Sequence, residues 1–188
     1  MLEFAILGLL QQAPMHGYEL RKRLNALLGT FRAFSYGSLY PMLRRMKVAG
    51  WISEEGTDAE AMASRRARVV YRITAEGKER FAELLTEVGP ATTDDEQFGV
   101  HFAFFAQTDA EIRLRILEGR RRRVEEKRDG LRAAMARTRE RLDRYTLELQ
   151  EHGLEAVDRE VRWLTELIDT ERREQASERT DHPDGESR

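Results

Sequence analysis

The chain has no cysteine. A disulfide framework, a thiolate zinc site and a thiol nucleophile are therefore excluded, and thiol usage says nothing about redox compartment. It also lacks any apolar run of about 18 residues, the length a membrane-spanning helix requires. The apolar opening MLEFAILGLL has neither the basic leader nor the small-residue cleavage site of a secretory signal, so the cytoplasm is the expected compartment and no membrane partner is expected. The four histidines, His16, His101, His152 and His182, are scattered, with no pair or carboxylate cluster at the spacing of a metal site. No GxSxG, P-loop or Rossmann glycine pattern occurs. No catalytic residue, cofactor or metal is expected, and the chain does not read as an enzyme.

What is present suffices for a core. The chain has 188 residues, 40% of them hydrophobic and 35% charged, a balance that favours helices with long solvated faces over a β-barrel. Net charge is −2, but unevenly placed: residues 1–90 carry 13 Lys and Arg against 10 Asp and Glu, and the remainder 19 against 24. A weakly basic front half precedes an acidic rear half.

Leu2, Ile6, Leu7, Leu9 and Leu10 predict a short apolar helix stopped near Pro14, and a second helix is expected from about Met15 to Leu28, ended by Gly29. In SYGSLYPMLRRMKVAGW, Leu39, Met42, Leu43 and Met46 have the spacing of a buried helical face. Pro41 then poses a question. If this helix starts near Gly37 or Ser38, the proline falls in or at the edge of the first turn, where amide hydrogens have no intrahelical acceptor. If it starts as early as Ser35, Pro41 is interior and bends it. WISEE and RVVYRIT, separated by about a dozen unpatterned residues, predict a two-stranded hairpin with a long tip. Thr74 caps a further helix with Glu76 in its first turn, and Gly89-Pro90 marks a boundary.

Three helices, a strand, a wing, a strand and a helix are the order of a winged helix-turn-helix, in which the third helix (about 37–49) can lie in a major groove and the wing (about 52–73) reaches beside it. Ser35, Tyr36, Ser38 and Tyr40 cluster at the positive end of that helix, where hydroxyls and free N–H groups can meet phosphate oxygens. Arg44 and Arg45 follow one turn on. Each has a plainer reading: a tyrosine at a helix start also packs at a core rim, and arginines also serve as a wet face. Arg65, Arg66 and Arg68 at the wing tip suit phosphate or minor-groove contact, or are simply solvated.

The blocks LGLLQQAPMHGYELRKRL, SYGSLYPMLRRMKVAGWI and VVYRITAEGKERF closely resemble the PadR family of bacterial transcription regulators. The family hallmarks stand here as His16, Gly17, Tyr18 and Glu19; Gly37, Ser38, Leu39, Tyr40 and Pro41; and Tyr71, Thr74 and Gly77, together spanning about residues 1–85. The resemblance implies a homodimer, usually a repressor, that binds an inverted-repeat operator in double-stranded DNA. It carries DNA contacts to Tyr18, Ser35, Tyr36, Gly37, Ser38, Tyr40 and Arg44 and to the wing cations. Tyr36 departs from the proline that family members often have there. The alternative is a winged-helix protein-interaction module without sequence-specific DNA binding; the basic wing favours the regulator.

Residues 95–175 resemble, more loosely, the C-terminal region of the larger PadR subfamily often called the virulence-activator α type. Phe98, Phe102 and Phe105 recur at i, i+4 and i+7 on one expected helix. A heptad track then runs through 114, 117, 121, 124, 128, 131, 135, 138, 142, 145 and 149, weakened by two arginines and a threonine. Val157, Val161, Leu164 and Ile168, with Trp163 beside them, follow on the last helix. These helices read as an antiparallel arm that swaps onto a partner's arm and first helix, with Leu114, Leu117, Val124, Leu131, Met135, Leu142, Val161, Trp163, Leu164 and Ile168 as the dimerisation set. Phe98, His101, Phe102 and Phe105 form a candidate effector pocket, or are plain core. The four arginines at 120–123, amid Glu118, Glu125 and Glu126, read as a solvated helix face rather than a second nucleic-acid patch.

The expected fold is mainly α with a minor β part: a winged helix-turn-helix over 1–89, a helical dimerisation domain over 90–175 and a disordered tail over 176–188.

Overall fold

The structure, a computed structural model, describes residues 1–28, 36–55, 69–138 and 141–181. It divides into two compact units, one of residues 1–87 with 94–108 and one of 88–93 with 109–188.

The first unit is built around α1 (Leu2–Gln12). LEFAILGLL is apolar almost all round, so the helix is stable only when enclosed, and every residue from Phe4 to Leu10 is buried. Around it in sequence come β1 (Met15–His16), α2 (Gly17–Leu28), α3 (Tyr36–Val48), β2 (Ile52–Glu55), β3 (Val70–Ile73) and α4 (Ala75–Thr86). The mainly helical winged helix-turn-helix is as expected, with one addition. The sheet has three strands, not two, in the order β1-β3-β2, all antiparallel. Met15 and His16, expected to open α2, instead pair with Tyr71 and Val70. A two-residue strand has no periodicity to read; only its partner defines it.

The end of α3 shows how locally the chain is determined. Gly50 has φ +77°, its N–H bonds to the Lys47 carbonyl at 3.0 Å, and the Trp51 N–H bonds to the Met46 carbonyl at 2.9 Å. That pair of bonds and a left-handed glycine form a Schellman stop. Thr74 caps α4 by accepting from the Gly77 N–H at 3.0 Å while its hydroxyl donates to the Gly50 carbonyl at 2.6 Å. One threonine thus ties the return from the wing to the end of α3.

Residues 94–108, expected with the rear helices, fold with this first unit. They form α5 (Asp95–Ala103) and a short 3-10 turn over Phe105–Gln107. The aromatic stripe is therefore not on one helix: Phe98 and Phe102 lie on α5 and Phe105 on the turn. The ring that enters the core is Phe104, fully buried and 5.3 Å from Phe4 and 5.6 Å from Phe81 between centroids.

The second unit is a 3-10 turn over Pro90–Thr93 and a helical hairpin of α6 (Ala110–Thr138) and α7 (Arg144–Asp181). At 1.5 Å per residue these helices are about 43 and 57 Å long. The heptad track is broken: α6 ends at Thr138 and α7 begins at Arg144, so 138, 142, 145 and 149 do not continue one seam. Burial on α6 falls on Ile112, Ile116, Leu117, Arg120 and Val124, sharing only 117 and 124 with the track, because that face meets a helix of its own chain. The tail also differs from expectation, since α7 continues to Asp181. A run rich in Glu, Arg, Gln and Ala has good helix propensity even without a core to join.

The hairpin is tied by a series of ion pairs that run antiparallel along it. Arg113 meets Glu171 at 2.8 Å, Glu118 meets Arg172 at 2.7 Å, and Arg132 meets Asp158 at 3.0 Å. Within the series, Arg120 is only 6% exposed; its Nε donates to Glu160 at 2.9 Å and its Nη1 to the Thr93 carbonyl at 3.0 Å. The expectation of a solvated arginine run thus fails at its first member: Arg120 is a buried anchor.

Candidate nucleic-acid interface

On α3, Leu39, Leu43 and Met46 are buried, which turns Gly37, Ser38, Tyr40, Pro41, Arg44 and Arg45 outward. The helix starts at Tyr36, so Pro41 is its sixth residue and lies beyond the first turn. Its ring nitrogen cannot donate to the Gly37 carbonyl, which is left open on an exposed surface where water can satisfy it. The amide groups of the first turn face the same end, giving it partial positive charge.

Tyr18 is the second residue of α2 and is 73% exposed; Tyr40 is 47% exposed. Both are large side chains left open beside a well-packed core. A Cβ placed on Gly17 would lie 3.6 Å from both Cε1 and Oη of Tyr40, so the start of α2 and the first turns of α3 meet there. Arg44 and Arg45 are exposed and make no ion pair among the described residues.

Neighbouring cations are neutralised. Lys47 pairs with Glu54 at 2.8 Å, and Arg23 with Glu19 at 2.9 Å. Arg72 forks onto Glu55, Nε to Oε1 at 2.8 Å and Nη2 to Oε2 at 3.0 Å. The hydrogen bonds from Arg23 and Arg72 hold the Glu19 and Glu55 carboxyls below their ordinary range. Among the described residues, the cations of this face outside any ion pair are Arg44 and Arg45 on α3 and Lys22 on α2, the last acting on the Glu19 carboxyl from a distance.

Of the expected contact residues, Tyr18, Gly37, Ser38 and Tyr40 are brought to exposed positions in the first turns of α2 and α3, and Arg44 is exposed midway along α3. The backbone of Tyr36 opens α3. Ser35, Arg65, Arg66 and Arg68 lie outside the described residues. Sequence reasoning did not single out Gly17 and Tyr71 as neighbours of Tyr40; what links them is the strand pairing of β1 with β3.

In the candidate effector set, Phe98 and His101 are buried, while Phe102 and Phe105 are half-buried and 5.0 Å apart between ring centroids. His101 is 6% exposed, its ring 4.8 Å from that of Phe4, and its Nδ1 has no hydrogen-bond partner among the described residues. Burial, reinforced by the charged chain N-terminus, pushes its pKa down to about 4. Among the proposed dimerisation residues, Leu117, Val124, Val161, Leu164 and Ile168 are buried within the single chain; Leu114, Met135 and Leu142 are half-buried; Leu131 and Trp163 are exposed. No cluster of three His, Asp or Glu that could hold a metal occurs among the described residues, nor is any described helix long and apolar enough to cross a membrane.

A helical core with its third helix facing outward and a small antiparallel sheet behind it defines the winged helix-turn-helix class. Within that class, residues 6–83 match the model of the transcriptional regulator PadR-like family. Members of that family are DNA-binding transcription factors, not enzymes. The negative transcriptional regulator PadR of Bacillus subtilis (strain 168) is 28% identical over 97 residues, 50% of this chain, and the match spans about half that relative's length, 52%. Among solved structures, Bacillus subtilis PadR in complex with operator DNA is 19% identical, covering 90% of this chain and 98% of that one with a TM-score of 0.44. A transcriptional regulator of Thermoplasma acidophilum is 32% identical, covering 44% of this chain and 72% of that one with a TM-score of 0.38.

Proposed function

We propose that this chain is a sequence-specific DNA-binding regulator that acts as a homodimeric repressor on an inverted-repeat operator. The observation that carries the reading is the open end of α3: Tyr40 and Arg44 exposed over a buried Leu39–Leu43–Met46 face, with Tyr18 exposed at the start of α2. Tyrosine hydroxyls and free helix amides fix position on phosphates, and an arginine one turn on reads base edges. The proposed contact set also takes in Ser35, Tyr36, Gly37 and Ser38, with Arg65, Arg66 and Arg68 as flanking contacts. The sign of regulation follows the curated relative, which is a negative regulator.

One such unit reads a half-site, and a two-fold dimer reads the inverted repeat. Tyr145, Leu149, Trp163 and Leu131 are exposed apolar side chains on the hairpin that a partner could cover, and Met135, Leu142 and Leu114 are half-buried. Any small-molecule effector meets Phe102 and Phe105 first, since Phe98 and His101 are already enclosed.

The test is selection of bound duplexes from a genomic fragment pool, followed by footprinting and a salt series. The expected result is a footprint with two-fold symmetry and an affinity that falls steeply with salt. Arg44→Ala and Tyr40→Ala should each cost about 1–3 kcal/mol of specific binding. Equal affinity for selected and random duplexes would overturn the reading in favour of a protein-interaction module, and a monomer in sedimentation at working concentration would overturn the dimer.

A further inference from the structure

We infer that Tyr71 is a positioning residue: its buried ring and the bare backbone of Gly17 form the seat that holds the Tyr40 ring at the exposed end of α3. The inference rests on the DNA-binding reading above and deepens it.

Three elements meet at this point. Met15 pairs with Tyr71 and His16 with Val70, so the two-residue strand β1 fixes the first turn of α2 against β3. At Gly17, the next residue, a Cβ would stand 3.4 Å from Cε2 of Tyr71 and 3.6 Å from Cε1 and Oη of Tyr40. Both rings therefore approach one patch of backbone. Tyr71 is 7% exposed and Tyr40 47%: the inner ring is fixed by the core, and the outer ring reaches the same glycine with about half its surface open.

A side chain that must be ordered on binding costs affinity, and a seat that orders it beforehand removes that cost. The seat itself carries no charge. Burial pushes the Tyr71 phenol up, Glu54 and Tyr40 add to the rise, and Arg44 opposes it, so Tyr71 stays neutral wherever the protein works and takes no part in phosphate neutralisation. Its effect should fall on the preference for one sequence over another and leave general DNA attraction alone.

The experiment compares Tyr71→Phe and Tyr71→Leu by affinity for the selected duplex, affinity for a random duplex of equal length, salt slope and thermal midpoint. Phenylalanine keeps the ring and should stay within about twofold of the parent chain. Leucine keeps burial but removes the planar seat, and should weaken binding of the selected duplex about tenfold while random-duplex affinity and salt slope hold. If the leucine chain does not fold, Gly17→Val decides the matter, since its branches push into the space of both rings and should produce the same selective loss. Unchanged preference in the folded variant overturns the inference. So does a parallel loss on both duplexes in Tyr71→Phe at an unchanged salt slope, which would make the neutral phenol a phosphate contact. A parent chain that itself fails to prefer the selected duplex instead overturns the DNA reading.

Discussion

Gly8 and Gly77 in the winged unit stand where a Cβ would run into the Phe104 ring and the Trp51 carbonyl, whereas Gly130 and Gly153 of the hairpin have open space at the same point. The winged unit joins short elements running in many directions, so backbones and rings must approach closely, and apolar contact around α1 does the holding. The hairpin joins two long antiparallel helices. Its apolar stripe is narrow, and pairs such as Arg113–Glu171 and Arg120–Glu160 set which turn faces which. Two glycines of the first unit are structural necessities, while two of the second are weak points in a helix.

The sharpest test of that contrast is Gly8→Ala. Its methyl must displace the Phe104 ring from a close-packed core, with an expected loss of about 3 kcal/mol in urea unfolding. If the loss stays below about 0.5 kcal/mol, the close approach is not what holds α5 to α1. Next comes the hairpin's own anchor. Arg120→Ala strands Glu160 and removes the donor to the Thr93 carbonyl; because Glu160 retains some exposure to water, the expected loss is about 2 kcal/mol. Arg120→Met with Glu160→Leu should recover most of it, which would identify the pair as a device for register more than for net stability.

A third prediction separates the units by pH. His101 has a folded pKa of about 4 against an ordinary 6.5, so between those values the unfolded chain binds the extra proton. Stability is full above about 6.5 and is lost as pH falls towards 4. The thermal midpoint of the winged unit should fall across that window, and His101→Leu should flatten the fall; an equal fall in the variant would place the titration elsewhere. The smallest effect runs the other way. Gly130→Ala, on an exposed stretch of α6 with nothing near its Cβ, should stabilise the hairpin by about 0.8 kcal/mol through helix propensity.

Legibility in the sequence followed the same divide. In the winged unit nearly every element could be read because its signals are local: a helix apolar all round, a buried face at i, i+3, i+4 and i+7, a glycine stop at Gly50, a threonine cap at Thr74. The misses there were contacts made by distant partners. Met15–His16 is a strand only because Val70 and Tyr71 lie opposite. Phe104 is the core ring because the chain turns after Ala103, moving Phe105 off the helical stripe. In the hairpin, charge and apolar spacing announced long helices, yet several heptad registers fit an arginine-rich sequence nearly equally well. The one adopted puts Ile112, Ile116 and Arg120 inward.

The residues by themselves determined the helices and the two wing strands of the first unit, the outward face of α3 and the winged-helix fold, because caps, stops and helical periods act over one to two turns. Tertiary structure alone decided that Arg120 is buried, that residues 94–108 fold with the winged unit, and that Tyr71 and Tyr40 both approach Gly17. Those facts depend on which surfaces meet across tens of residues of chain, and no local period records that choice.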